Sequence, residues 1–327
     1  GVLDLVSDTE IEINATTIDM NGAADVSGAL TAGTVNGVGI SYNITNFSQS
    51  LLISNDAGTG TLSSASDNTG LGFEVFDDLT SGVENTAVGS QAMDANTTGG
   101  YNTAVGAGAL GANTTATFNT AIGRNALLAN TTGASNVAVG GQALDANTTA
   151  SNNTAVGTSA LGANTTGASN VSVGTDSLAA NTTASNNTAV GKDALKANTT
   201  GDQNVAVGTF ALDANTTGTR GTAVGVEALS ANTEGVNNTA IGHTALAVNT
   251  EGGYNVAVGY ASLDANTTGG SNTAVGYNTL SANTTADNNV AIGSNCLKLN
   301  TTGHSNVGVG VACLDANTTA IYNTAVG

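Results

Sequence analysis

The feature that most constrains this chain is an internal repeat of 17 residues that runs without insertion or deletion. A glycine recurs at every seventeenth position from Gly89 to Gly327, across fourteen periods. The segment from Asn68 to Gly72 falls on the same register, so it begins a degenerate first coil. A fixed period of this length indicates a stacked repeat architecture, because a unit this short can bury its apolar side chains only against its neighbours.

The repeat unit, numbered so that Asn85 is position 1, has a strand-like part and a turn-like part. It reads Asn-Thr/Val-Ala-Val/Ile-Gly-x-x-Ala-Leu-x-Ala-Asn-Thr-Thr-Gly/Ala-x-x. Positions 2 and 4 alternate with small residues, which is the period of a β-strand and not of a helix. Asn and Gly tolerate left-handed backbone angles, so Asn-Thr-Thr-Gly favours a turn. We therefore predict an all-β fold, a parallel β-solenoid or β-roll whose coils carry about two short strands and two turns and stack ~4.8 Å apart.

The unit also predicts a core and a contact surface. Position 4 is Val or Ile in all fifteen copies, and position 9 is Leu in thirteen of fourteen. We expect both positions and half of position 2 to be buried, at ~1.5–3 kcal/mol per side chain. The small face of Ala at position 3 and Gly at position 5 would then receive another chain. The predicted structural ladders are represented by Gly89, Gly106, Gly123 and Gly140, by Asn96, Asn113, Asn130 and Asn147, by Val88 and Val105, and by Leu110 and Leu127.

Changes in the residue pattern divide the chain into three segments. Residues 1–40 read as a thin β fibre segment, in which short apolar strands alternate with Gly- and Asn-containing turns. Residues 41–81 read as a transition segment that contains the degenerate first coil. Residues 82–327 read as the 17-residue-repeat shaft, which we expect to continue beyond the last residue because the sequence stops in mid-repeat.

Charge and motif content argue against most other classes of function. With 24 acidic and 5 basic residues, the net charge of −19 disfavours nucleic acid and anionic lipid as partners. No apolar run approaches the ~20 residues of a membrane span, so membrane insertion is not expected. No nucleophile with a base and no phosphate-binding or dinucleotide fingerprint is evident. We expect no enzyme, no catalytic residue and no cofactor.

Four residue types are candidate sites. The Asn-Thr-Thr/Glu runs, such as Asn96-Thr97-Thr98, are formal glycosylation sequons, but their fixed place in every coil favours a structural ladder. Cys296 and Cys313 share position 8 one coil apart, and we favour two buried thiols over a strained disulfide. His243 and His304 lie at different positions, so no zinc site is expected. The acidic residues of position 10 are predicted to form a solvated face and not a calcium site: Asp94, Asp145, Asp213, Asp264 and Asp315.

Aromatic residues, which anchor many recognition sites, are few in the array. They are scattered, and no cluster of them is evident from the register: Tyr101, Phe118, Phe210, Tyr254, Tyr260, Tyr277 and Tyr322. Neighbouring coils differ mainly at positions 6, 7, 10, 16 and 17. We therefore expect the array to be a spacer, with receptor contact in another segment.

The Asn-Thr-Ala-Val-Gly and Asn-Val-Ala-Val-Gly strands resemble the repeats of trimeric autotransporter adhesin heads of the YadA-like β-roll type, whose unit is shorter. Residues 82–327 look more like the arrays of bacteriophage tail fibres and related virion appendages. Gly1 to Gly33, with Leu3-Asp4-Leu5 and Glu10 to Asp19, is similar to strand-rich segments of such fibres, especially those of marine and cyanobacterial phages. This resemblance implies a homotrimeric, extracellular or virion-borne structural fibre that holds a receptor-binding tip. A bacterial surface adhesin stays open as an alternative, and ice binding as a remote one, because no Thr-x-Thr strand face is evident. A polysaccharide lyase would need basic residues that the chain lacks.

Overall fold

The computed structural model describes residues 39–44, 47–54 and 62–327, with side chains from residue 49 onward. All of these residues belong to one compact unit, Gly33–Gly327. Most of the predicted N-terminal fibre segment, residues 1–38, lies outside the described residues. So do residues 45–46 and 55–61 of the predicted transition segment.

The described residues form an all-β solenoid that contains no helix, which confirms the predicted fold class. Two longer strands, β1 (Gly39–Ile44) and β2 (Phe47–Ser54), precede the short β3 (Ala65–Ser66) and β4 (Thr69–Leu71). Fifteen three-residue strands then follow at intervals of 17 residues: β5 Thr86–Val88, β6 Thr103–Val105, β7 Thr120–Ile122, β8 Val137–Val139, β9 Thr154–Val156, β10 Val171–Val173, β11 Thr188–Val190, β12 Val205–Val207, β13 Thr222–Val224, β14 Thr239–Ile241, β15 Val256–Val258, β16 Thr273–Val275, β17 Val290–Ile292, β18 Val307–Val309 and β19 Thr324–Val326.

The strands from β4 to β19 pair in parallel and in register, each with the strand one coil away. Thr86, Ala87 and Val88 lie opposite Thr103, Ala104 and Val105, and the same pairing recurs along the array. At the start of the array, β2 pairs in parallel with β4 and antiparallel with β1. Identical positions are therefore stacked, and sixteen strands at ~4.8 Å span about 70 Å.

Each coil contains one strand, and the prediction of about two is wrong. Positions 6 to 11, which include the Ala-Leu pair, form turns in which positions 7 and 9 have left-handed backbone angles, as at Gln91 (φ 57°) and Met93 (φ 53°). Residues with right-handed and left-handed backbone angles alternate here, so the chain turns back on itself. Their backbone amides nevertheless donate hydrogen bonds to the neighbouring coil. The Met93 amide donates to the Ala109 carbonyl at 3.1 Å, and the Ala95 amide donates to that of Gly111 at 3.1 Å. Hydrogen bonds between coils thus continue where strand geometry ends.

The strand also faces the opposite way from the prediction. Alanine at position 3 points inward and is fully buried, as at Ala87 and Ala104, whereas Val105 at position 4 is 38% exposed. Val88 and Val105 are stacked on each other, but on the outer side of the wall. Leucine at position 9, including Leu110 and Leu127, is buried as predicted. Because Ala at positions 3 and 8 and Leu at position 9 already fill a narrow interior, a branched side chain at position 3 has no room.

Two buried asparagine ladders complete the interior, one at position 1 and one at position 12. At position 12, Asn113 Nδ2 donates to Asn96 Oδ1 at 2.8 Å and to the Ala116 carbonyl at 3.2 Å. At position 1, the backbone amide of Asn102 donates to Asn85 Oδ1 at 3.0 Å, so the side chain binds the next coil's backbone. The position 12 ladder continues through Asn130 and Asn147. The hydrogen-bonded asparagine ladders hold the coils in register, because a shift of one coil relative to the next would leave buried amide groups without hydrogen-bond partners.

Glycine at position 5 is required by the backbone. Gly89 has φ of 136°, and a Cβ added there would lie 2.6 Å from the carbonyl oxygen of Gly106. Gly106, Gly123 and Gly140 repeat the same conformation and the same close approach. Only glycine allows this corner to stack on itself, which explains the uninterrupted glycine period.

Candidate binding surfaces

The outer side of the parallel sheet is an uncharged, apolar face that we call the outer sheet face, made of positions 2 and 4 of β4 to β19. Position 2 is Thr in ten strands and Val in six, and position 4 is Leu, Val or Ile throughout. The position 4 side chains remain more than a third exposed in many rows, for example Val190 and Ile241. The side chains of positions 2 and 4 lie ~7 Å apart along each strand, so the face covers on the order of 500 Å² before side-chain width is added.

This outer sheet face replaces the predicted contact surface. The expectation that Ala at position 3 and Gly at position 5 offer a small face to another chain is wrong for the alanine, which is buried inside the coil. A monomeric protein seldom exposes a contiguous apolar patch of more than a few hundred Å². The chain carries a charge of −19 elsewhere but none on these two rows. The outer sheet face is therefore the strongest candidate interaction surface among the described residues.

Aromatic side chains do form stacks, so the prediction that no cluster is evident is wrong. His243, Tyr260 and Tyr277 occupy position 6 of three consecutive coils, with ring centroids 5.6 and 5.5 Å apart and nearly parallel planes. Tyr101 and Phe118 stack in the same way at position 17, at 4.9 Å. The signal was present in the sequence, because equal positions in adjacent coils must lie one above the other. His304 instead packs edge-on against Tyr322.

One charged cluster was not anticipated from the sequence. Asp193 is buried, and Lys192 and Lys196 both bind its carboxylate, the latter at 2.8 Å. The hydrogen bonds from Lys192 and then Lys196 lower the pKa of Asp193 despite its burial. Lys192 also lies 5.1 Å from the centre of the Phe210 ring. The two lysines thus cover a carboxylate and stabilise the side of the solenoid locally, which is a structural role.

The aspartates of position 10 are not simply a solvated face. Partial burial is the main cause that raises the pKa of Asp94, Asp145, Asp213 and Asp264. Within the described residues, no group of three or more His, Cys, Asp and Glu side chains is placed to hold a metal ion. These carboxylates therefore carry an unfavourable desolvation in the folded state at neutral pH.

The two cysteines are free, buried thiols. They face the interior at position 8, and burial raises the pKa of the Cys296 thiol. Cys296 is accommodated because Gly308 stands at position 3 of the next coil, where a Cβ would lie 2.6 Å from the Cys296 sulfur. Burial and the raised pKa both disfavour thiolate chemistry at this site.

The glycosylation sequons lie in the wall of the solenoid. Asn96 and Asn113 are fully buried, and their amides are hydrogen-bonded in the position 12 ladder. Attachment of a sugar to such an amide would require the coil to open. Burial favours the structural interpretation of these asparagines.

Two comparisons of the chain with known proteins found no match. No protein-family model matches the chain, and no curated protein matches it. Across the described ranges, there is also no helix long and apolar enough to cross a membrane.

Proposed function

We propose that this protein is the shaft of a self-associating structural fibre, of the kind found in phage tail fibres and other virion appendages. The outer sheet face is the observation that carries the proposal. A surface that repeats every ~4.8 Å over about 70 Å is matched best by a second copy with the same repeat, because rows then pack on rows along the whole length. With the width of the side chains added to its ~500 Å², the face is of the order of the ~800 Å² per partner of a stable interface. Three chains around a common axis, the arrangement that the sequence resemblance implies, would cover it.

A regular stack of coils can serve as a spacer of defined length. Each coil contacts only the coils before and after it, so length can change by whole coils while the stack stays intact. In this proposal the fibre is extracellular or part of a virion, and it holds a receptor-binding segment at a distance. A trimeric adhesin on a bacterial surface would use the same shaft, and a signal peptide with a membrane anchor in the full gene would favour that assignment.

Sedimentation equilibrium on the full chain tests self-association. We expect a mass close to three times 31.6 kDa, or about 95 kDa. The combined variant Val190→Lys, Val207→Glu, Val224→Lys puts alternating charges on three adjacent rows, which attract each other within the chain but oppose an apolar partner. It should shift the mass toward 31.6 kDa while the circular dichroism spectrum stays that of the parent. A parent protein that is monomeric at micromolar concentration would refute the proposal.

Ice binding is the second candidate, and the same face supports it more than the sequence did. The threonines of position 2 lie on the flat outer sheet face beside Val or Ile, so a regular Thr-x-Val array is exposed. A thermal hysteresis assay separates the two functions. Hysteresis by a monomeric parent protein would favour ice binding, whereas an inactive, associated parent supports the fibre.

A further inference from the structure

The surface of the array is interrupted by a pocket of about 380 Å³ where three consecutive coils meet. Gln91 and Asp94 come from the first coil, Gly108 and Gly111 from the second, and Leu128 from the third, with three alanines of position 11 between them. This volume lies within the range of small-molecule sites, which combine apolar walls with a few polar groups. The pocket is on the side of positions 7, 10 and 11, away from the outer sheet face.

Two glycines create the pocket. From residue 68 onward, the coil with Gly108 and Gly111 is the one coil that has glycine at both position 7 and position 10. A Cβ on Gly111 would lie 3.3 Å from Leu128 Cδ1 and 3.4 Å from Asp94 Oδ1. A side chain there would fill the space between the carboxylate and the leucine, so the absence of one keeps the two walls apart.

The polar wall is a carboxylate in an acidic surrounding. Asp94 Oδ1 accepts the Ala95 amide at 3.0 Å. Burial is the main cause that raises the pKa of Asp94, and the neighbouring Glu74 and Asp78 raise it further. The ion pairs found among the described residues join Lys192 and Lys196 to aspartates elsewhere, and none involves Asp94. A cation in the pocket would relieve both the burial and the repulsion.

We propose that this pocket binds a primary ammonium group on a short aliphatic chain, with the nitrogen on the Asp94 carboxylate and the chain against Leu128 and the alanines. The carboxylate supplies a charge-assisted hydrogen bond, and the apolar wall buries the methylene groups. A lysine side chain presents such an ammonium group on four methylene groups, whereas the ammonium group of an amino sugar is attached to a ring carbon, so lysine is the ligand that fits the apolar wall. The site is independent of self-association, because it lies on another side of the coil.

The chain provides a natural near-duplicate of this site. The coils that begin at Asn136 and Asn153 repeat Gln142, Asp145 and Gly162 at the same positions. Burial raises the pKa of Asp145 as it does that of Asp94. However, Ser159 stands where the first site has Gly108, and Ala179 stands where it has Leu128. The second site therefore has the carboxylate without the apolar wall.

The test is a ligand-observed NMR titration of the full chain with n-butylammonium. We expect saturable binding that Asp94→Asn weakens at least tenfold and that Gly111→Ala also weakens. The matched variants Asp145→Asn and Gly162→Ala should leave binding unchanged, and circular dichroism verifies that each variant is folded. Equal effects at both sites, or unaltered binding in Asp94→Asn, would overturn the proposal. So would binding of n-butanol as strong as that of n-butylammonium.

Competition then distinguishes the two sources of the ammonium group. Nα-acetyl-lysine methylamide represents a protein side chain, and methyl glucosaminide represents an amino sugar. We expect Nα-acetyl-lysine methylamide to displace n-butylammonium from the parent and not to bind Asp94→Asn, and we expect methyl glucosaminide not to displace it. If only methyl glucosaminide displaces it, or neither compound does, the proposed ligand class is wrong.

Discussion

The two sides of the parallel sheet are equally regular for different physical reasons. On the inner side, Ala at position 3 packs against Leu at position 9 and the asparagine ladders, and these residues are buried in all but the last coils. On the outer side, Val or Ile at position 4 repeats just as regularly but is exposed in the single chain. Packing within one chain accounts for the inner side and leaves the outer side unexplained. This uncovered, regular surface is the reason for proposing a partner with the same period.

The largest expected effect comes from breaking the register on which both sides depend. Deleting 34 residues, Asn153 to Asn186, removes two whole coils, and we expect a folded, associating chain shortened by ~10 Å. Deleting 35 residues, Asn153 to Asn187, leaves the junction coil one residue short, so the stack should be interrupted there and the chain should lose part of its β spectrum and stability, because strands on the two sides of the junction no longer pair in register.

Circular dichroism and electron microscopy of the two deletions make this check. Similar spectra for both would contradict a register held by stacked ladders. Loss of target attachment by the 34-residue deletion alone, with fibres still assembled, would assign adhesion to the array itself.

Two adjacent residues of strand β11, Thr188 and Ala189, give the closest comparison of the outer and inner sides of the sheet. Ala189→Val adds two methyl groups to the filled interior and should lower the free energy of unfolding by about 1–3 kcal/mol. Thr188→Val places the same side chain on the outer sheet face, where Val171 and Val205 already occur in the neighbouring strands. Its effect should stay within about 0.5 kcal/mol. Urea unfolding measures both, and equal losses would mean that the inner and outer sides are assigned wrongly.

Gly308, which replaces the usual alanine of position 3 in the interior, gives a smaller expected effect on stability, and a second substitution should reverse that effect. Gly308→Ala restores the usual residue of position 3 but brings a methyl group against the Cys296 sulfur, so we expect a loss of about 1–2 kcal/mol. Adding Cys296→Ala should remove most of that loss, because the two adjacent coils then have the usual alanine at both contacting positions. A double-mutant cycle with no coupling between the two changes would show that the sulfur does not determine the glycine.

The smallest effect concerns the partly buried carboxylates outside the sheet. Because burial raises the pKa of Asp264 in the folded chain, its contribution favours folding at pH values below the unfolded pKa and is lost as the pH rises through the folded pKa. Asp264→Asn should therefore raise the melting temperature slightly at pH 7 and leave it unchanged near pH 3. A larger gain at low pH would contradict burial as the cause of the shift.

The sequence predicted the solenoid, its period and its register because glycine and asparagine at fixed positions are demanded by backbone contacts such as Gly89 on Gly106. It did not predict which side of the strand faces inward. Alternation of Thr, Ala and Val indicates two faces but not which is buried, and the larger residue is normally the buried one. Here the turn geometry at positions 7 and 9 sends Leu inward and leaves space only for Ala opposite.

The candidate sites were harder to predict for a related reason. Stacks such as Tyr260 on Tyr277 follow directly from equal repeat positions and could have been found. The pocket at Gly111 could not, because it depends on the missing side chains of one coil and on how Leu128 of the next coil closes the space.

Protection of the outer sheet face in the assembled protein tests the central claim most directly. In a Cys296→Ala, Cys313→Ala background, a thiol is introduced either by Val207→Cys on the outer sheet face or by Thr217→Cys at an exposed turn of the same coil. Reaction with a soluble maleimide is timed for each. A covered face predicts that V207C reacts at least tenfold more slowly than T217C, and that adding Val190→Lys and Val224→Lys on the two neighbouring rows abolishes the difference. Equal rates for V207C and T217C in the native protein would contradict it.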